Sequence, residues 1–420
     1  MKKIFNFALY DFANSAFTTI IITFIFATYF ATQIAPNPVL GQTYWGWTIG
    51  ITGFFIAIIG PIAGSFADKK NRIVFFIRCF SLLCISFTAL LWFSKPSQSY
   101  LLYTLVIVGI ANFFYELSLI FYNSLLKDIS TSKNLGKSSG FGFALGYIGG
   151  IVILLISIKL FIDNDSLPFG LTKEESQNIR AIALLVSIWF LIFSIPFLFF
   201  VIKETKKKIT KSVSSNFMDL KSVSSNFMDL KKLVWNRRFS VLGKFLIARM
   251  LYADGLNAII VMGGIFAVGV FNLEIKELLK LSVLMNVTAF IGAFMGGVAN
   301  DRFGSKIVII FSLVGLIFSS IAILFIYSKS AFFFLAAING LFIGPVQSAS
   351  RVVITSLLNK SNQGKGFGLF ATSGKLTSFL GPLLVSTVTF LTNSQRIGFS
   401  AAIILLLAGL IILLNIKKIS

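Results

Sequence analysis

Twelve long apolar runs constrain this chain more than any other feature. A bilayer span needs about 20 mostly apolar residues. Candidate spans fall at 8–33, 45–67, 73–94, 100–126, 138–162, 180–202, 241–270, 279–299, 305–327, 331–358, 365–392 and 396–416. Hydrocarbon offers no water to pair backbone N–H and C=O groups, so runs of this length must be helices, which pair those groups internally. Composition agrees: the 420 residues are 56% hydrophobic and 12% charged, whereas soluble domains are about a quarter charged. The expected fold class is an all-α membrane protein with twelve transmembrane helices.

The formal net charge of +22 would point to nucleic acid in a soluble protein. Its distribution points elsewhere. With the N-terminus placed in the cytoplasm, inner segments hold 27 of the 37 Lys and Arg, outer ends and loops hold eight, and Arg249 and Lys375 fall within spans. That asymmetry matches the positive-inside rule and puts both termini in the cytoplasm. Basic inner loops suit an anionic lipid leaflet. The charge is split among short loops without a recognition motif, so no nucleic-acid partner is expected. Cys79 and Cys84 have neither metal-ligand nor disulfide spacing, and histidine is absent, so neither a metal nor a cofactor is expected. The first run follows Lys2 and Lys3, as a signal peptide would, but a signal's apolar region is about 7–15 residues without acids. This run is longer and carries Asp11 near its start, so it is expected to remain as a span.

Weak internal echoes divide the chain. "LYDFAN" at 9–14 echoes "LYADGLN" at 251–257, "GSFADKKNR" at 64–72 echoes "GVANDRFGSK" at 297–306, and "GFGFALG" at 140–146 echoes "GFGLFATSG" at 366–374. Their shared order over spans 1/7, loops 2–3/8–9 and spans 5/11 predicts two six-helix bundles of the same orientation, at 1–204 and 239–420. The segment 205–238 becomes a basic cytoplasmic linker. It contains a perfect tandem repeat, "KSVSSNFMDL", at 211–220 and 221–230. A ten-residue period drifts around a helix, and surface loops accept insertions at small entropic cost, so a tolerated duplication is favoured over an amphipathic surface helix.

Ionisable groups within spans are costly and normally face a cavity or a partner. Here they are Asp11, Glu116, Arg249, Asp254 and Lys375, with Arg351 near the inner end of span 10. At 100° per residue, Asp11, Asn14, Ser15 and Thr18 share one face of span 1. Asn112, Glu116 and Asn123 share a face of span 4, Asp254 and Asn257 a face of span 7, and Asn339 and Ser350 a face of span 10. Plainer roles compete for two of them: Asp11 lies near the inner end, where it can cap a helix, and Arg249 can snorkel to the inner surface.

The loops after spans 2 and 8 carry "GxxADKKNR" and "GxxxNDRFGSK". Both resemble the signature loop of the major facilitator superfamily, with Gly64, Asp68, Lys69 and Arg72 in the first copy and Gly297, Asp301, Arg302, Gly304 and Lys306 in the second. Asn71 stands where a second glycine is usual. The resemblance implies that these residues gate the inner face, and that spans 1, 4, 7 and 10 line a central cavity. The polar stripes fall on those four spans.

"YDFANSAF", "ELSLIFYNSLLKDIS", "SGFGFALGYIGG", "RMLYADGLNAIIVMGGIFA", "GPVQSASR" and "FGLFATSGKLTSFLGPLL" together resemble the vacuole-effluxer-like branch of that superfamily. The resemblance implies secondary active transport of a small polar solute by alternating access, with efflux of neutral amino acids as the expected activity. A zwitterion needs an anion beside its amine, which Glu116 or Asp254 can supply, and a cation or backbone donors beside its carboxylate, which Arg249 or Lys375 can supply. The same acids can carry a coupled proton. The expected substrate and coupling residues are therefore Asp11, Asn14, Asn112, Glu116, Arg249, Asp254, Asn257, Asn339 and Lys375. The alternatives are efflux of amphiphilic or drug-like compounds, which the 48 Phe keep open, and a receptor or scaffold that does not transport. No nucleophile–base or metal constellation meets the requirements of an enzyme. A monomer in a bacterial cytoplasmic membrane is expected.

Overall fold

A computed structural model describes residues 2–69, 73–125, 135–164, 166–201, 235–236, 238–357 and 379–416. The tandem repeat, Arg72 and Lys375 lie outside these residues, as do the side chains of Gly64, Asp68, Lys69, Gly297, Asp301 and Arg351. The described chain is almost wholly helical. Its long elements are α1 (Ile4–Ile34), α2 (Pro38–Lys69), α3 (Ile73–Leu90), α4 (Leu101–Ser124), α5 (Leu135–Ser157) and α6 (Gln177–Ile195). They continue as α7 (Val241–Phe271), α8 (Ile275–Phe303), α9 (Ser305–Phe325), α10 (Lys329–Leu357), α11 (Leu380–Thr392) and α12 (Gln395–Leu414). Ahead of α7, Trp235–Asn236 pairs antiparallel with Arg238–Phe239.

Among the described residues, ten helices are long and apolar enough to cross a membrane. The other two expected spans fall on α2, a helix of 32 residues, and on α11, where 365–378 lie outside the description. The lipid-facing surface is legible in α9. Phe311, Phe318 and Phe325 follow one another at seven-residue intervals and are 69%, 74% and 74% exposed. Leu313, Leu316 and Ser320 of the same helix are buried. In a soluble protein such a stripe would mark an interface; in a bilayer it faces acyl chains.

The two halves pack alike. In the first, α1 packs against α5 and α6, while α2 and α3 pack against α4. In the second, α7 packs against α11 and α12, while α8 and α9 pack against α10. Between the halves, α2 meets α11, its pseudo-equivalent pair α5 and α8 meets likewise, and α7 crosses α1 and α2. This is the arrangement of two repeats that the ordered echoes predicted.

Small residues let the halves approach. A Cβ at Gly46 would overlap the Ser386 side chain, and one at Gly264 would overlap the Thr23 carbonyl. Around Gly46, Gln42 Nε2 donates to Thr389 Oγ1 at 2.9 Å, Trp47 Nε1 to Thr387 Oγ1 at 3.3 Å and Ser386 Oγ to the Gln42 carbonyl at 3.3 Å. Gln395 Nε2 donates to the Pro38 carbonyl at 3.1 Å, and Lys276 Nζ pairs with Asp163 Oδ1 at 2.7 Å. Under the positive-inside topology, each of these contacts lies in the outer half of the molecule.

Two local departures from α-helix bear on the centre. Phe17–Thr23 of α1 is a π-helical turn, which widens the helix and re-aims its side chains; such turns recur at functional sites. In α10, Pro345 stands inside the helix, where it lacks the N–H needed by the hydrogen-bond ladder. At the second signature loop Gly304 has φ +81°, a conformation that favours glycine, and it ends α8 one residue before α9 begins.

Candidate functional site

Two cavities occupy the centre. The first, about 290 Å³, is lined from α1, α2, α4, α7 and α10. Asn112 and Glu116 of α4, Arg249, Tyr252 and Asn257 of α7, and Gln347 and Ser350 of α10 supply most of its polar wall, opposite Ile49 and Ile56 of α2. The second, about 300 Å³, lies beside it between α1, α4 and α5 on one side and α8 and α10 on the other. Asp11, Asn14, Ser15, Tyr115, Asn123, Tyr147 and Asn286 line it. Thr18, Thr23 and Ile260 belong to both walls and form the partition.

Local hydrogen bonds decide which way these walls face. Ser15 Oγ donates to the Phe12 carbonyl at 3.1 Å and Thr18 Oγ1 to the Ser15 carbonyl at 3.1 Å, so both hydroxyls satisfy themselves on their own helix. Tyr115 Oη donates to Asn14 Oδ1 at 3.3 Å, joining α4 to α1. Tyr252 Oη stands 2.7 Å from Ser350 Oγ, joining α7 to α10. Ser350 gives its own hydrogen to the Val346 carbonyl, so Tyr252 is the donor of that pair.

The structure sorts the expected residues. Asn112, Glu116, Arg249 and Asn257 line the first cavity; Asp11 and Asn14 line the second. Asp254 and Asn339 line neither of these two cavities, contrary to expectation. Asp254 follows Ala253, a cavity residue, and therefore sits about 100° round α7 from it. It is 1% exposed, and its carbonyl lies against Gly381 of α11. Asn339 is buried between α9 and α10, where Ser319 Oγ donates to its Oδ1 at 2.7 Å and Ser320 Oγ at 3.3 Å. Ser350, eleven residues further along the same helix, lines the first cavity instead, so the two ends of the α10 stripe meet different neighbours. Arg302 of the second signature loop is exposed. Lys306 Nζ donates to the Ile416 carbonyl, tying the start of α9 to the end of α12.

Gln347, Tyr252 and Asn286 were missed. The first lies in "GPVQSASR" and could have been found as a polar residue three positions from Ser350. Tyr252 directly follows Leu251 in the "LYADGLN" echo. Asn286 gave no signal beyond being polar within a span.

The profile of the family described as Vacuole effluxer Atg22 like matches residues 128–418. The chain belongs to this family. It is 28% identical over 418 residues to an uncharacterized MFS-type transporter, YxiO, of Bacillus subtilis, covering 97% of this chain and 93% of that one. It is 24% identical over 405 residues to autophagy-related protein 22 of Kluyveromyces lactis, covering 87% and 77%. Among solved structures, the D-xylose–proton symporter superposes with a TM-score of 0.71 at 14% identity, covering 100% of this chain and 97% of that one. An inward-facing bacterial homolog of the human lysosomal transporter Spinster superposes with 0.66 at 14% identity, covering 99% and 95%. The fold is that of the major facilitator superfamily, and this Atg22-like chain is a multi-pass membrane transporter of that type.

Proposed function

We propose that this Atg22-like chain exports small neutral amino acids across a bacterial cytoplasmic membrane, as a monomer, by rocking the bundles 1–204 and 239–420 about the first cavity. One observation carries the reading: an acid from the first half, Glu116, and a base from the second, Arg249, line the same cavity of about 290 Å³. A zwitterion offers an ammonium to the one and a carboxylate to the other, and Asn112, Asn257 and Gln347 supply neutral hydrogen bonds. The volume is at the small end for ligand pockets, which run about 300–1,000 Å³. Because Glu116 and Arg249 come from different bundles, a bound zwitterion spans the interface that must rearrange in alternating access.

The wall also weighs against drug-like cations. Tyr252 is its one aromatic residue among the described lining residues, and a basic side chain repels a cation. The inner loops carrying Asp68, Lys69, Arg72, Asp301, Arg302 and Lys306 are the proposed inner gate, with 205–238 as the tether. The description of the family as a vacuole effluxer supports efflux as the direction. The test is release of labelled alanine and leucine from proteoliposomes holding the purified chain. Release that Glu116→Gln and Arg249→Gln strongly slow is expected. No release of any neutral amino acid, with release of lipophilic cations, would overturn the reading.

A further inference from the structure

The division between the two cavities is thin. Thr18 and Thr23 of α1 and Ile260 of α7 belong to both walls, and the backbones of the two helices explain why these three meet. In an α-helix, residues five apart stand about 140° from one another. Phe17–Thr23 is a π-helical turn, and its i→i+5 hydrogen bonds bring such residues towards one face. Thr18 and Thr23, five apart, are thereby turned together. The Thr18 hydroxyl donates to the Ser15 carbonyl at 3.1 Å, so it has no hydrogen left for a solute. Opposite them, α7 touches α1 where Gly264 meets the Thr23 carbonyl, since a Cβ at Gly264 would overlap that oxygen. Ile260 lies one turn before Gly264 on the same face of α7. Its side chain is half-buried and fills the space between the two helices at that level.

The chemistry differs on the two sides of this partition. The first cavity carries the Glu116 and Arg249 charges and the amides of Asn112, Asn257 and Gln347. Beyond the partition, Phe24, Leu119, Met285, Ala289 and Ile343 give the second cavity an extended apolar wall. Such a wall suits an aromatic ring, and a methionine thioether makes favourable contacts with one.

We infer that Ile260 is a specificity-determining residue of this transporter: it closes the first cavity towards the second and so discriminates against neutral amino acids with bulky aromatic side chains. The inference rests on the amino-acid reading of the first cavity. A zwitterion held by its ammonium and its carboxylate has one substituent left to place. With Ile260 intact, that substituent stays within about 290 Å³. With the Ile260 side chain shortened, it gains a further space of about 300 Å³, walled by the apolar groups that an aromatic ring prefers. Thr18 and Thr23 are already short, so the height of the barrier is set from α7.

Competition in proteoliposomes holding the full-length chain tests this. Release of labelled alanine is measured with unlabelled alanine or unlabelled tryptophan on the same side of the membrane, and the readout is the ratio of the tryptophan and alanine concentrations that halve it. Ile260→Ala is expected to lower that ratio roughly tenfold or more, the scale on which apolar pockets resolve small differences in side-chain size. Ile260→Val, the milder change, lowers it less and carries the test if Ile260→Ala does not reach the membrane. Adding Leu119→Trp, which refills the second cavity from α4, restores the wild-type ratio. A ratio unchanged in the Ile260 variants, or a lowered ratio that survives Leu119→Trp, would overturn the inference while alanine release still supports the amino-acid reading. A wild-type chain that releases no alanine overturns that reading and this inference together.

Discussion

Tyr10 Oη donates to Ser118 Oγ at 3.1 Å, joining α1 to α4 in the buried centre of the first bundle. The second bundle repeats the device between Tyr252 and Ser350, joining α7 to α10. The two tyrosines each follow a leucine in the "LYDFAN" and "LYADGLN" echoes, and each reaches a serine of the helix three further on in its own bundle. They differ in what they leave behind. Ser118 donates to the Tyr115 carbonyl at 2.7 Å and Ser350 to the Val346 carbonyl, so neither serine depends on its tyrosine. Tyr10 also meets Ser81 Oγ of α3 at 2.7 Å, and Ser81 is fully buried.

Tyr252→Phe is therefore expected to cost about 1 kcal/mol, the net value of one hydrogen bond, while Tyr10→Phe also strands the Ser81 hydroxyl and costs about 2–3 kcal/mol. Thermal unfolding of the two purified variants in the same detergent checks the order. Equal destabilisation would contradict the donor assignment.

Glu116→Gln and Arg249→Gln each remove a charged hydrogen bond to the proposed zwitterion, worth about 1.5–3 kcal/mol. Initial rates of labelled alanine transport should fall roughly 10- to 150-fold. Arg249→Lys keeps charge without the planar fork and should recover part of the loss. Rates measured across alanine concentrations separate binding from turnover.

The outer contact of α2 with α11 depends on Gly46. Gly46→Leu forces Ser386 away, because no side chain fits between them. Thr389→Cys, buried beside Gln42 in the parent, should react slowly with a membrane-impermeant maleimide added outside, and several-fold faster once Gly46→Leu is added. Labelling is read against Cys79 and Cys84, which remain in both variants. Equal rates would show that Gly46 does not hold the seal.

The ion pair between Asp163 and Lys276 joins the halves at the surface, with side chains 47% and 57% exposed. Exposed pairs contribute about 0–1 kcal/mol and weaken with salt. Lys276→Ala is expected to lower the unfolding midpoint only slightly at low ionic strength and not measurably at high salt. A large loss at high salt would assign the outer seal to this pair instead of to the α2–α11 contact.

Most of the architecture could be read from the letters. Hydrocarbon forces long apolar runs into helices whatever surrounds them, and the positive-inside bias orients them. Two copies of a half-sequence, even when barely alike, must pack alike, as α1 with α5 and α7 with α11 do. The face of α1 bearing Asp11, Asn14, Ser15 and Thr18 was also legible, because rotation per residue is a local property of a helix.

Helix rotation relative to neighbours is not local, and there the letters ran out. Asp254 and Asn257 share a face of α7, yet Asn257 borders the first cavity and Asp254 packs towards α11; an apolar helix carries no signal for a boundary that its neighbours define. Asn339 was drawn to two serines of α9, a contact over about twenty positions that periodicity cannot see. Sequence alone determined that this chain is a helical membrane protein of two related halves with scarce charges on its central spans. Only tertiary structure decided that Glu116 and Arg249 border one cavity while Asp11 and Asn14 border another. Lipid acts on every helix alike and sets what each must be; pairing between helices is set by shape, which exists only once they are packed.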